Sequence, residues 1–150
     1  MKLLSFLLMT LLLTTGCSTR KAYPKSDSGY IKTQLYQEYK KWKNTPYKYG
    51  GASLSGADCS GFVQQMYARA LNKKVPRTTI EQVKIGYKIG KNSLRAGDLI
   101  LFRIGKGVRH SGIMLDSKRF IHSSSSHGVT ISSLKPYWEK KYWQARRVLP

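Results

Sequence analysis

The sequence predicts an α+β domain in which N-terminal helices pack on a mostly antiparallel sheet. Apolar residues recur at helical spacing in the first half and form short runs between glycines in the second half. The length of 150 residues suits a single domain. With 41% hydrophobic and 23% charged residues, the chain has enough apolar surface to bury a core, which excludes a disordered tail.

The N-terminal segment, residues 1–16, has the composition of a secretory signal peptide. Lys2 precedes an apolar run over residues 3–13 that is too short to span a bilayer, and small residues follow it. The segment leads into Cys17 as in the bacterial lipobox, although Thr14 stands where that motif usually has leucine. We therefore expect residues 1–16 to be a signal peptide and Cys17 to carry lipid. An ordinary signal peptide is the alternative.

Between this leader and the domain, residues 17–28 contain serine, lysine and proline without apolar periodicity. Such a composition predicts a tether, here a lipidated one. The folded domain is then expected to span residues 29–150.

The chain is strongly basic, because 27 lysines and arginines stand against 7 acidic residues and give a formal net charge of +20. A field of this sign favours polyanions or an anionic surface as partners. We expect no nucleic-acid partner, because an exported protein rarely meets one and the basic residues are scattered along the chain instead of grouped in one recognition helix.

The first predicted helix carries apolar and aromatic residues at helical spacing, with a polar cap before it and a stop after it. The spaced residues are Ile31, Leu35, Tyr39 and Trp42, the cap is Asp27 or Ser28, and the stop is Thr45 with Pro46. We expect the apolar face to point into the core. A helix lying on a membrane surface is the alternative.

Two further helices are expected after a loop of glycines and serines over residues 47–58. One extends from Cys59 to about Leu71, with Asp58 as its N-cap. A short third helix is expected after Thr78, and it includes Ile80, Val83 and Lys84.

The second half contains the short apolar runs that are typical of strands, separated by glycines and turn residues. These runs cover residues 99–102, 113–115, 120–122, 129–131 and 143–149. The second and third runs pair as a hairpin if the turn lies at residues 116–118. In that hairpin His110 and His122 lie side by side.

Cys59 is the candidate nucleophile. Acylation of Cys17 would leave Cys59 as the one free thiol, so no intrachain disulfide could form. A helix N-terminus favours the anionic form of a thiol. Gly61 would keep bulk away from an approaching substrate, and nearby backbone N–H groups would stabilise an oxyanion. A small buried cysteine without chemistry is the alternative.

A thiol nucleophile needs a general base and a group that orients the base. The hairpin would supply both as His110 and His122. The third histidine, His127, lies in a loop of serines and a glycine and is expected to be a solvated bystander. Zinc binding by Cys59, His110 and His122 is a rival hypothesis, but no pair among them has the short spacing of a zinc site.

Six motifs, in their order and spacing, resemble those of the NlpC family of bacterial cell-wall cysteine peptidases. They are TPYKYGG at 45–51, DCSGFV at 58–63, PRT at 76–78, GDL at 97–99, HSGI at 110–113 and FIH at 120–122. The resemblance covers nearly everything after the tether. One departure is Ser111, where valine is commoner in the family.

The resemblance implies a permuted papain-like fold, in which the helix with the nucleophile packs against the sheet that supplies the base. It assigns Cys59 as nucleophile, His110 as base and His122 as the residue that orients the base. It also places Tyr47 against the site, where its hydroxyl helps to stabilise the oxyanion. No cofactor and no metal ion are implied.

Three polar residues around the cysteine are expected to contact substrate: Asp58, Ser60 and Arg77. The arginine suits the carboxylates of wall peptides, because its planar fork makes charge-assisted hydrogen bonds to them. The alternatives are a helix cap for Asp58, a hydroxyl that fixes the loop for Ser60 and a packing role for Arg77.

The reaction that the resemblance implies is hydrolysis of an amide bond in the peptidoglycan stem peptide, either between D-glutamate and the diamino acid or in the cross-link. Stem peptides and a lipid membrane are the expected partners, and an adaptor or inhibitor protein is an open third. Ser18, after the lipid cysteine, favours an outer-membrane lipoprotein that faces the periplasm. The alternative functions are a non-hydrolytic peptidoglycan-binding lipoprotein and an acyl-transfer relative on the same fold.

Overall fold

The structure is a computed structural model that describes residues 27–150. The predicted signal peptide, the lipidation site Cys17 and nearly all of the tether lie outside the described residues. The helices are α1 (Ser28–Trp42), α2 (Cys59–Leu71), α3 (Thr79–Gln82) and α4 (Tyr137–Lys141). The strands are β1 (Ala52–Ser53), β2 (Gly56–Ala57), β3 (Tyr87–Ile89), β4 (Leu99–Arg103), β5 (Arg109–Met114), β6 (Arg119–Ser124), β7 (Gly128–Ser133) and β8 (Tyr142–Arg147).

Helix α1 begins at Ser28 with Asp27 as its N-cap, one of the two caps that the sequence predicts, so Ser28 is helical although it was assigned to the tether. The Asp27 side chain accepts hydrogen bonds from the first backbone N–H groups of the helix. The helix ends before Asn44, whose left-handed backbone (φ 66°) is one that asparagine tolerates. Leu35, Tyr39 and Trp42 are buried, so the core-facing prediction is confirmed. None of the helices within residues 27–150 has the length and apolar character needed to cross a bilayer.

Six strands form one sheet in the order β3-β8-β4-β5-β6-β7, and every neighbouring pair is antiparallel. Helices α1 and α2 pack together, and α2 packs on β5 and β6. The core between helices and sheet contains Trp42, Phe62, Leu101, Ile113 and Ile121. A smaller cluster that includes Phe102 and Phe120 packs against Trp138 of α4. The predicted α+β class is therefore confirmed.

Some elements differ from the sequence predictions. The predicted loop 47–58 contains the small hairpin of β1 and β2. Helix α3 ends at Gln82, so Val83 is its C-cap and Lys84 lies beyond it. Strand β3 and helix α4 were not predicted, because both are short and neither is a buried apolar run.

Candidate active site

Cys59 is the first residue of α2, as predicted. The preceding Asp58 is the N-cap, and its Oδ1 accepts a hydrogen bond from the Gly61 amide at 2.7 Å. Cys59 is only 9% exposed, yet it lines two neighbouring cavities. The sulfur is thus carried on a rigid helix end and borders open space.

The two predicted histidines meet on neighbouring strands. The Nε2 atom of His110 lies 2.8 Å from Nδ1 of His122, and Nε2 of His122 lies 2.8 Å from the Ser132 hydroxyl. Trp138 stacks on the His110 ring, with 5.1 Å between centroids, and packs edge-on against His122. Both imidazoles are therefore fixed by hydrogen bonds and ring contacts from three strands and α4.

Burial controls the protonation of both imidazoles. It lowers the pKa of His110 to about 4. It also lowers the pKa of His122 to about 3, and the nearby His110 and His127 add to this effect. Both rings are consequently neutral near pH 7. A neutral imidazole keeps one ring nitrogen free to accept a proton, which is the property that a general base needs.

A cleft passes Cys59 and has two halves. One half, of about 390 Å³, contains Cys59, both imidazoles and the serine-rich loop 124–126. The other half, of about 650 Å³, contains Cys59, Arg77 and the start of α3. Four residues line both halves: Tyr47, Cys59, Val108 and Arg109. A chain molecule could therefore lie across the sulfur with contacts on both sides.

Tyr47 stands beside the cysteine at the junction of the two halves. A bridge to Ala57 places it next to the N-terminus of α2. Burial raises the pKa of Tyr47, and the nearby Cys59 and Asp58 raise it further. The phenol therefore keeps its proton near pH 7 and can donate a hydrogen bond into the cleft.

The three predicted substrate contacts, Asp58, Ser60 and Arg77, bind one another. The Arg77 guanidinium donates to both carboxylate oxygens of Asp58 at 2.9 and 2.8 Å, and to the Ser60 hydroxyl at 3.1 Å. Burial alone would raise the pKa of Asp58, but the hydrogen bonds from Arg77 and from the Gly61 and Gly50 amides keep it below its usual value. This geometry holds the cap of α2, while substrate contact by these residues stays a prediction.

Gly61 serves a different purpose from the one expected. A Cβ atom at Gly61 would collide with the Gly51 carbonyl oxygen and press against the Arg77 guanidinium. The space beside Gly61 is therefore filled by the protein itself, and the expectation that Gly61 makes room for substrate is wrong.

Replacing Arg77 by methionine is expected to lower the free energy of unfolding by about 2 kcal/mol, because the buried Asp58 carboxylate loses its charged donors and keeps its charge. Urea denaturation measures this change. Arg119→Met is the matched control, since Arg119 makes a similar but more exposed contact with Asp116. Its expected cost is below about 1 kcal/mol. Full stability of the Arg77 variant would contradict the cap-holding role and favour a contact with substrate.

Two site residues escaped sequence reasoning. Ser132 and Trp138 touch the imidazoles only because β7 and α4 fold against them, and neither belongs to a recognisable local motif. Among residues 27–150, no three histidine, cysteine, aspartate or glutamate side chains gather in an arrangement that could hold a metal ion.

Comparison with known proteins identifies relatives over most of the chain. Residues 44–147 match the model of the NlpC/P60 family. The chain is 44% identical over 120 residues to the murein DD-endopeptidase MepS/murein LD-carboxypeptidase of Escherichia coli K12, covering 79% of this chain and 64% of that protein. It is 43% identical over 149 residues to the probable endopeptidase NlpC of the same strain, covering 95% of this chain and 97% of that protein.

A solved structure of an NlpC/P60 family protein from Bacillus cereus has the same fold. It superposes with a TM-score of 0.71 at 32% identity, covering 85% of this chain and 42% of that chain. The resemblance inferred from the six motifs is thus confirmed. From the family match over 44–147 and the near full-length likeness to NlpC, the chain belongs to the NlpC/P60 family.

Proposed function

We propose that the protein is a peptidoglycan endopeptidase that hydrolyses an amide bond of the stem peptide with Cys59 as nucleophile. The observation that carries the proposal is one cavity lined by Cys59 and by the hydrogen-bonded pair His110 and His122. The relatives MepS, a murein DD-endopeptidase, and NlpC, a probable endopeptidase, support the reaction class by their names. The chain spans 64% of the length of MepS, so the substrate is part of the proposal.

The hydrogen bonds of the site determine which ring nitrogen of each histidine carries a hydrogen. His110 accepts a proton at Nδ1 only if its Nε2 carries a hydrogen and donates it to Nδ1 of His122. His122 then carries its own hydrogen on Nε2 and donates it to the Ser132 hydroxyl. His122 is in this way a positioning residue that fixes the tautomer of the base.

The reaction proceeds in two steps. The Cys59 sulfur attacks the amide carbon while its proton passes to His110. The tetrahedral oxyanion accepts hydrogen bonds from the Tyr47 hydroxyl and from the backbone N–H groups of Cys59 and Ser60, because that of Gly61 donates to Asp58. His110 gives the proton to the leaving amine, which departs and leaves a thioester. A water molecule then gives one proton to His110 and attacks the thioester, and His110 passes that proton to the departing Cys59 sulfur. The carboxylic acid that is released loses its proton to solvent and leaves as a carboxylate.

Digestion of isolated peptidoglycan and defined muropeptides tests the proposal. Mass spectrometry should show products heavier by one water, with a new amine and a new carboxyl end, and the ends identify the bond that is cut. Alkylation of the protein with iodoacetamide should abolish the cleavage, and a chelator should leave it unchanged. Binding without cleavage, or transfer of the acyl group to an added amine in place of water, would support the alternative functions.

We also propose that Cys17 carries the lipid anchor of an envelope lipoprotein, with Ser18 directing it to the outer membrane. Cys17→Ser should abolish incorporation of a labelled fatty acid and release the protein into the soluble periplasmic fraction. Cys59→Ser is the matched control and should keep both label and membrane association. Label retained in the Cys17 variant would contradict the anchor. The adaptor or inhibitor protein that the resemblance suggests stays a prediction.

A further inference from the structure

Two arginines face each other across the strand pair β4 and β5. Arg103 and Arg109 are direct partners in the antiparallel register. Their guanidinium carbons both lie over the Trp143 ring, 4.4 and 5.3 Å from its centroid. The Trp143 ring attracts the two guanidinium charges and packs against the aliphatic parts of both side chains, and so holds both groups in place.

These two arginines differ from the others in residues 27–150. Each of the others donates a side-chain hydrogen bond to a carboxylate, an amide oxygen or a backbone carbonyl: Arg69, Arg77, Arg95, Arg119, Arg146 and Arg147. The guanidiniums of Arg103 and Arg109 have no hydrogen-bond or ion-pair partner within that part of the chain. Like charges directly opposite each other repel, and a bound anion would relieve the repulsion.

The position of Arg109 connects this charge to the reaction site. Arg109 precedes the base His110 on β5 and lines both halves of the cleft that passes Cys59. In the larger half the single acidic residue, Asp58, is already bound by Arg77. Because the charges of Asp58 and Arg77 cancel, the positive charge of Arg109 is the one left for a ligand in this half.

We infer that Arg109 binds a free carboxylate of the stem peptide next to the amide bond at Cys59. Trp143 holds the Arg109 guanidinium in place, and the neighbouring Arg103 adds a second positive charge. The inference rests on the proposed function for the identity of the ligand. The planar fork of arginine matches both oxygens of a carboxylate, and a guanidinium that has no hydrogen-bond partner within residues 27–150 has its donors available. This assigns to Arg109 the carboxylate contact that the sequence suggested for Arg77.

Isothermal titration calorimetry on the full chain with Cys59→Ala, which binds without cutting, tests the inference. The ligands are a stem-peptide muropeptide with free carboxylates and two matched forms, one amidated at the D-glutamate carboxylate and one at the diamino-acid carboxylate. One of the amidated forms should bind about tenfold more weakly or worse. Adding Arg109→Gln should weaken binding of the free form by a similar factor and remove its advantage over that amide.

Arg119→Gln, which removes a surface charge paired with Asp116, is the control and should keep the preference for the free carboxylate. Arg109→Lys should keep part of it, since the charge remains and the fork is lost. Equal affinities for free and amidated ligands in the Cys59→Ala protein, or an unchanged preference in the Arg109→Gln variant, would overturn the inference. Failure of the wild-type protein to cleave would overturn only the proposed function, because this test measures binding.

Discussion

Replacing Cys59 by alanine is expected to lower the rate of muropeptide hydrolysis by about 10⁴-fold or more. In the proposed mechanism the thiol forms the covalent intermediate, so its loss removes the whole two-step path, and the remaining groups supply only binding and oxyanion stabilisation. Release of the new amine, followed with an amine-reactive dye, measures the rate.

The alanine variant keeps the fold because Asp58, not Cys59, makes the helix cap. Its thermal unfolding midpoint should therefore stay close to that of the wild type. Cys59→Ser is a second variant with a hydroxyl in place of the thiol, and it should also be strongly impaired because serine is the weaker nucleophile at this site. A folded alanine variant with unchanged cleavage would remove Cys59 from the mechanism.

Replacing His110 by glutamine is expected to lower kcat by about 10² to 10⁴-fold, the usual contribution of a positioned general base. Glutamine keeps a polar group near His122 and cannot carry the proton between thiol and leaving amine. Substrate binding should change little, so KM should stay within a few-fold of the wild-type value. A variant whose loss lies in KM alone would contradict the role as base.

The same histidine is expected to determine the pH dependence of the proposed reaction. Burial lowers the pKa of His110 to about 4, so kcat/KM should persist as the pH falls below 6.5, the ordinary histidine value, and decline as it approaches about 4. The free energy of unfolding also decreases as the pH falls. Below about pH 6.5 the histidines of the unfolded chain bind protons while the buried rings stay neutral, so the folded state loses stability from there towards pH 4.

Circular dichroism at each pH separates loss of the base from loss of the fold. The expected outcome is a decline of kcat/KM as the pH approaches about 4, while the spectrum is still native. A decline near pH 6.5 in a folded protein would contradict a buried, neutral base.

The features that the sequence predicted correctly are those with a local cause. The cap Asp58 and the apolar face that begins with Phe62 define α2 within one continuous stretch. The meeting of His110 with His122 was predictable because a single hairpin turn brings the two strand ends together.

The features that escaped prediction depend on contacts between distant segments. Arg77 binds Asp58, 19 residues earlier in the chain, and that arrangement exists only once the loop before α3 closes over α2. Trp138 reaches His110 from a short helix that periodicity does not reveal. Arg109 could not be recognised from the sequence as lacking a hydrogen-bond partner, because this requires knowing the contacts of all the arginines in residues 27–150.

The place of β8 in the sheet has a consequence for biosynthesis. This strand is the latest of the six in the chain, yet it lies between β3 and β4. A polypeptide made or translocated from its N-terminus leaves β3 without its neighbour, and β4 with one open edge, until β8 has emerged. Pairing of such distant segments is slow compared with local folding. The six-stranded sheet is therefore completed only after residues 142–147 have been made, so its last pairing step follows synthesis of all the other strands.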